Sequence, residues 1–174
     1  MTQFHSVKLE LLRPGPSHNQ LLSPLTAYLA LCGEGAPITF RIDLEHRNLL
    51  NRLERLRYTT VLEHVRVATV TELGEEVASI LSQLPTLLAE ISRAHGEAKC
   101  AGASKEPHYV HLSVVLGGSE LSLIPFELAF APQSFPGEGL EFCLQLHLPV
   151  IPTRETRRSR PMAAAWDSST EPKL

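Results

Sequence analysis

Val7, Leu9 and Leu11 alternate with Lys8 and Glu10, and the pattern stops at Arg13-Pro14-Gly15-Pro16. A period of two sends one set of side chains to a core and the other to water, so a half-buried strand is predicted here. A second alternation runs through Ala27, Leu29 and Leu31. A third runs through Ile38, Phe40, Ile42 and Leu44, with Thr39, Arg41 and Asp43 between them. The link Cys32-Gly33-Glu34-Gly35-Ala36 is rich in turn residues, so residues 27 to 44 are expected to form a hairpin.

From Glu45 the period becomes helical. Leu49, Leu50, Leu53 and Leu56 fall on one face of a segment rich in Arg and Glu, which continues past Tyr58 or breaks at Thr59-Thr60. Leu73, Val77, Ile80, Leu81, Leu84, Leu87, Leu88 and Ile91 then recur at three- and four-residue steps. Thr69 and Glu72 have capping-box spacing and are expected to start this helix. Pro85 should kink or divide it, because proline removes a hydrogen bond and crowds the preceding turn. His95-Gly96 is the expected stop, followed by a loop over 98 to 107. Tyr109 to Leu116 reads as a central strand closed by Gly117-Gly118, and Leu146 to Ile151 as a last short one.

This order predicts an α/β or α+β fold: a mixed β-sheet with a hairpin near the N-terminus and two to three amphipathic helices covering it. Residues 1–153 are expected to form a single domain, β-rich over 1–44 and helical over 45–97, with a last segment over 108–153. Residues 154–174 read as a basic linker and disordered tail.

A length of 174 residues suits one such domain, and 43% hydrophobic with 20% charged residues is ordinary globular composition. A formal net charge of -3 argues against a surface built throughout for nucleic acid. The opening MTQFHSVKLELL lacks the basic start and apolar core of a secretion signal, and no run approaches the length of a membrane span. The three cysteines, Cys32, Cys100 and Cys143, lack CxxC spacing, so neither a disulfide framework nor a zinc ribbon is expected; a reducing cytoplasm fits best.

The eight histidines, His5, His18, His46, His64, His95, His108, His111 and His147, are scattered. Only His108 and His111 are close, and on a strand their offset of three puts them on opposite faces, so no metal site is expected. Cys32 and Cys143 lie in strand-like apolar settings that favour inert buried thiols, and Cys100 lies in a loop. A cysteine paired in space with a histidine base would be a nucleophile, which sequence spacing neither supports nor excludes. Gly33-Glu34-Gly35 and Gly117-Gly118 lack the flanking residues of a phosphate loop and read as turns, so no cofactor is expected. Arg154, Arg157, Arg158 and Arg160 are candidate contacts to an acidic partner or to nucleic acid. Without interleaved aromatics, a solvated linker suits them better.

One octet resists simple pattern reading: LIPFELAF, residues 123 to 130. Proline is tolerated at the first turn of a helix, where its missing N–H would be unpaired anyway, and a carboxylate there is favoured by the helix dipole. Pro125 is therefore expected to start a helix with Glu127 in its first turn. Phe126, Leu128, Ala129 and Phe130 would supply the packing face.

The octet lies within VHLSVVLGGSELSLIPFELAFAP, followed by LQLHLPVIPTRETRR. Together these resemble the CHAT family of caspase-like cysteine peptidase domains, in which a strand leads to a Leu-Pro-Trp-Glu-Leu-Leu-like helix start, then a loop and a strand running into an arginine-bearing segment. The counterparts here are Leu123, Ile124, Pro125, Phe126, Glu127 and Leu128, with Ile124 and Phe126 replacing the more usual Leu and Trp, and then Leu148 to Arg154. In that family the catalytic histidine and cysteine lie on later strands. No position here corresponds to either, and His95-Gly96 lies upstream of the matched segment and is not a counterpart. The resemblance implies an incomplete caspase-like sheet with no catalytic, cofactor or metal residues of its own. It would be a non-catalytic N-terminal part that scaffolds or regulates a peptidase half, downstream or on a partner chain. A stand-alone protein-interaction module, a hydrolase using Cys143 or Cys100, and nucleic-acid binding by the arginines are the other readings.

Overall fold

The computed structural model describes residues 3–15, 20–58, 61–100, 108–146 and 148–157. Thr59, Thr60, His18, His147, Arg158, Arg160 and the expected tail fall outside these residues. The first strand, β1 (Gln3–Leu12), sits at the centre of a five-stranded sheet of order β3-β2-β1-β4-β5. On one side it pairs antiparallel with β2 (Ala27–Cys32), which turns into β3 (Ile38–Arg41) as the predicted hairpin. On the other side it pairs parallel with β4 (His108–Leu116), which in turn pairs parallel with β5 (Val150–Thr156). Three helices, α1 (His46–Glu54), α2 (Glu63–Ser82) and α3 (Pro85–Cys100), lie between β3 and β4 in the chain. The fold is thus mixed α/β, and no described helix is long and apolar enough to cross a membrane.

The alternation in β1 has its expected outcome: Val7, Leu9 and Leu11 are buried in a core with Val110, Leu112 and Val114 of β4. The helices contribute Leu49, then Leu73, Val77, Ile80 and Leu81, then Leu87, Ile91 and Ala94. Burial of these apolar side chains, at about 25 cal/mol per Å², is the main force holding helices to sheet. The opposite sheet face carries Phe4, Ser6, Lys8 and Glu10 of β1 and Ile151 and Glu155 of β5, which are exposed or half-buried.

Several expectations are corrected. In β2 the core takes Tyr28, Ala30 and Cys32, while Ala27, Leu29 and Leu31 are half-buried. Both phases of this strand are apolar, and the register with β1 decides between them, Leu9 facing Cys32 and Leu11 facing Ala30. Helix α2 starts well before Thr69. There is no capping box: the Thr69 hydroxyl donates inside the helix to the Val65 carbonyl at 2.8 Å. Pro85 does divide the helical stretch, taking the first position of α3, where its missing N–H costs little. Gly96 does not stop α3, since one interior glycine costs only about 1 kcal/mol. The last strand begins and ends later than expected, which places Arg154 within the sheet.

The segment after β4 also differs from the helix expected of it. Ser119–Leu123 and Phe126–Leu128 each form a short 3-10 turn, separated by Ile124 and Pro125. Ala129 is already extended, Phe130 bridges to Glu141, and Pro132 disfavours a helical Ala131. The helix therefore never propagates.

Candidate functional site

The residues singled out by sequence do meet. Ile124 and Phe126 are buried in the core, and Leu123 and Leu128 pack partly against it. Glu127, left on the surface by the short turn, accepts from Arg154 Nε at 2.6 Å. Arg154 Nη1 also donates to the Ser122 carbonyl at 2.7 Å and to the Ile124 carbonyl at 3.4 Å. Arg154 is thus neither a linker residue nor a free contact. It fastens the 122–127 segment to β5. The ion pair is half-exposed and worth about 1 kcal/mol or less. Its bonds to two carbonyls give it the added role of satisfying backbone acceptors that no regular helix would satisfy.

Gly74, which the sequence pattern gave no reason to notice, lets α2 approach this segment. A Cβ at that position would lie 2.5 Å from the Leu128 carbonyl oxygen and 2.5 Å from a Phe130 ring carbon. Of the remaining arginines, Arg157 is exposed, with Nη1 3.7 Å from a Glu10 carboxylate oxygen.

All three cysteines are free thiols. Cys32 is buried, and burial first, with Glu90 second, pushes its thiol up to about 11. Cys143 is exposed in a 3-10 turn, not in the strand expected of it, with Sγ 4.0 Å from the Glu127 carbonyl oxygen. Partial burial, then Glu141 and Glu127, raise its pKa, the wrong direction for a thiolate nucleophile. Cys100 is exposed at the end of α3. His108 and His111 face opposite sides of β4: His108 lies 3.4 Å from His5, itself 3.2 Å from Glu97, and His111 lies 2.8 Å from the Thr153 hydroxyl. Among the described residues no group of three His, Cys, Asp or Glu side chains could hold a metal ion.

A second cluster lies where β1 and β4 end. Glu120, just past β4, has a side chain 0% exposed to solvent. Arg13, just past β1, donates to Glu120 Oε1 at 3.2 Å, and the Tyr28 hydroxyl donates to the same oxygen at 3.4 Å. Next to it the Ser119 hydroxyl donates to Gln20 Oε1. Burial, then the Glu120 charge, pushes the Tyr28 phenol up to about 12. No family model, curated protein or solved structure matches the chain. Function is therefore argued from these residues and their placement. In α/β folds ligands gather at the carboxyl ends of parallel strands, which is where Arg13 and Glu120 lie.

The raised Tyr28 pKa has a testable sign. Between about 10 and about 12 the unfolded chain ionises this phenol while the folded chain keeps it protonated, so stability is expected to fall as pH rises through that range. Cys32, raised from 9 to about 11, adds a loss in an overlapping range, so the Tyr28 share is the part of the slope removed by Tyr28→Phe in denaturant titrations. An unchanged slope in that variant would place the high-pH loss elsewhere.

Proposed function

We propose that this chain is the non-catalytic N-terminal part of a CHAT-like caspase-fold protein, and that it scaffolds or regulates a peptidase half lying downstream or on a partner chain. The observation that carries this reading is the difference between the two edges of the sheet. The β3 edge is short and stoppered: the Gln83 amide donates to the Arg41 carbonyl at 2.9 Å and accepts from the Arg41 N–H at 3.2 Å. The β5 edge has no such stopper among the described residues. Val110 N–H donates to the Pro149 carbonyl and Arg157 N–H to the Leu116 carbonyl, so the odd-numbered groups of β5 point to β4. The groups of Val150, Pro152, Arg154 and Thr156 point away from the sheet. Pro152 has no N–H to leave unpaired, which is how edge positions accommodate proline. An edge of this length invites a further strand, and β1, β4 and β5 already run parallel.

Amide hydrogen exchange tests the reading. The Arg154 and Thr156 amides are expected to exchange fast in the chain alone and to become protected when a peptidase half, fused after Leu174 or added as a separate chain, is supplied. Protection of both amides in the chain alone, or none on adding that half, would count against it.

A second reading, a stand-alone protein-interaction module, is favoured by the open sheet face. Phe4 is 65% exposed there and its ring stacks on Tyr109 at 5.7 Å, with Ile151 also exposed. It predicts that Phe4→Ser weakens capture of a partner without changing exchange at the β5 edge.

A further inference from the structure

The central strand β1 outruns its neighbour on one side. It pairs with β4 from Gln3 to Leu11, but with β2 only from Leu9 to Leu12. The Gly117 N–H donates to the Leu11 carbonyl at 2.7 Å, so the odd-numbered backbone groups of β1 point to β4 and the even-numbered ones to the β2 side. There the N–H and C=O groups of Phe4, Ser6 and Lys8 face no strand and line an open lane in continuation of β2.

The lane is framed on two further sides. A hollow of about 500 Å³ runs along Ser6 and Lys8, with Gly33 and Glu34 of the β2–β3 turn at its end and Glu90 and Arg93 of α3 on its flank. A Cβ on Gly33 would come 2.8 Å from Glu90 Oε1, so turn and helix close together there. Lysine often guards a strand edge. Lys8, however, is turned onto the open sheet face, where its ammonium lies 2.6 Å from Glu10.

The charges around the lane do not balance. Lys8 is taken by Glu10, and Arg93 is shared between Glu90 at 2.6 Å and Glu97 at 2.8 Å. Glu34 is exposed and makes no ion pair among the described residues. Carboxylates are thus in surplus along α3 and at the closed end.

We infer that this lane takes an extended basic peptide as an added β-strand. A strand there would complete hydrogen bonds to Phe4, Ser6 and Lys8, a pairing of about five residues. Its side chains would alternate between α3, where lysine or arginine meets the surplus carboxylates, and the open face, where apolar residues extend the Phe4 and Tyr109 stack. The lane lies two strands from β5, so this binding does not depend on the proposed association with a peptidase half.

The test is a titration of the full chain with the blocked peptide acetyl-Val-Lys-Val-Lys-Val-amide at constant ionic strength, with acetyl-Val-Glu-Val-Glu-Val-amide in parallel. Amide hydrogen exchange is expected to slow saturably at Ser6 and Lys8 and to stay unchanged at Val7, whose N–H already points to β4. The glutamate peptide should give no such response. Glu90→Lys should weaken the lysine peptide by about tenfold, since reversing the charge removes one attraction and adds a repulsion of similar size. Glu54→Lys, a reversal at an exposed position of α1, should leave binding unchanged. No saturable protection, equal response to the two peptides, protection at Arg154 and Thr156 in place of Ser6 and Lys8, or undiminished affinity in Glu90→Lys would each overturn the assignment. Protection of Ser6 and Lys8 that grows with protein concentration in the absence of peptide would give the lane to a second copy and overturn it as well.

Discussion

Arg13→Met is expected to destabilise the chain by about 3 kcal/mol or more, because it strands the Glu120 carboxylate away from water with its cation gone. The Tyr28 hydroxyl would remain as a donor to Glu120, but one neutral hydrogen bond contributes only about 1 kcal/mol, well short of compensating a buried charge. Urea denaturation measures the loss. The double variant Arg13→Met with Glu120→Gln separates the mechanism from simple damage, since a neutral amide no longer needs the guanidinium. It should recover at least half of the lost stability, the coupling expected of two groups in direct contact. If Arg13→Met stays within about 0.5 kcal/mol of the parent, the size of an ordinary surface change, the pair does not hold this end of the sheet together.

The second large effect is expected at Gly74, where the sign is informative. In an ordinary helix interior, glycine to alanine stabilises by about 1 kcal/mol. At Gly74 the new methyl would sit 2.5 Å from a backbone carbonyl oxygen and from an aromatic ring that packs under α2. Either α2 or the 128–130 segment must move, and overpacking of this kind costs about 1 to 3 kcal/mol. Gly96, inside α3, is the matched control: its added Cβ would meet nothing within 4 Å. Gly74→Ala should therefore lower the denaturation midpoint and Gly96→Ala should raise it. Two shifts of the same sign would show that the close approach at Gly74 does not limit stability.

What could be read in the sequence depended on how local its physics was. The strand at Val7 to Leu11, the 27–44 hairpin and the division at Pro85 follow from periods and backbone chemistry within a few residues, and all three are present. The facing of β2 was not legible, because Leu29 and Leu31 are as apolar as the Tyr28 and Cys32 that the core takes. The octet around Pro125 was read as the start of a helix with Glu127 in its first turn and Phe126 and Ala129 on the packing face; the start, Glu127's place and the buried face are there, but the helix is a single 3-10 turn. The stop comes from Pro132 and from the bridge to Glu141, beyond the octet itself. The two ion pairs escaped for a plainer reason: Arg154 and Glu127 are 27 residues apart, and Arg13 and Glu120 are 107 apart. No periodicity carries a signal over such distances. The only hint of Glu120 was an acidic residue just after paired glycines, a position that reads equally well as solvent.

The Gln83 stopper on β3 has a consequence for assembly. Sheets polymerise when each added copy presents a fresh edge like the one it has just covered. Here the Gln83 side chain takes both backbone groups of Arg41 at one edge of the sheet, so the two edges present different surfaces to an incoming strand, and a second copy adding at β3 would first have to displace it.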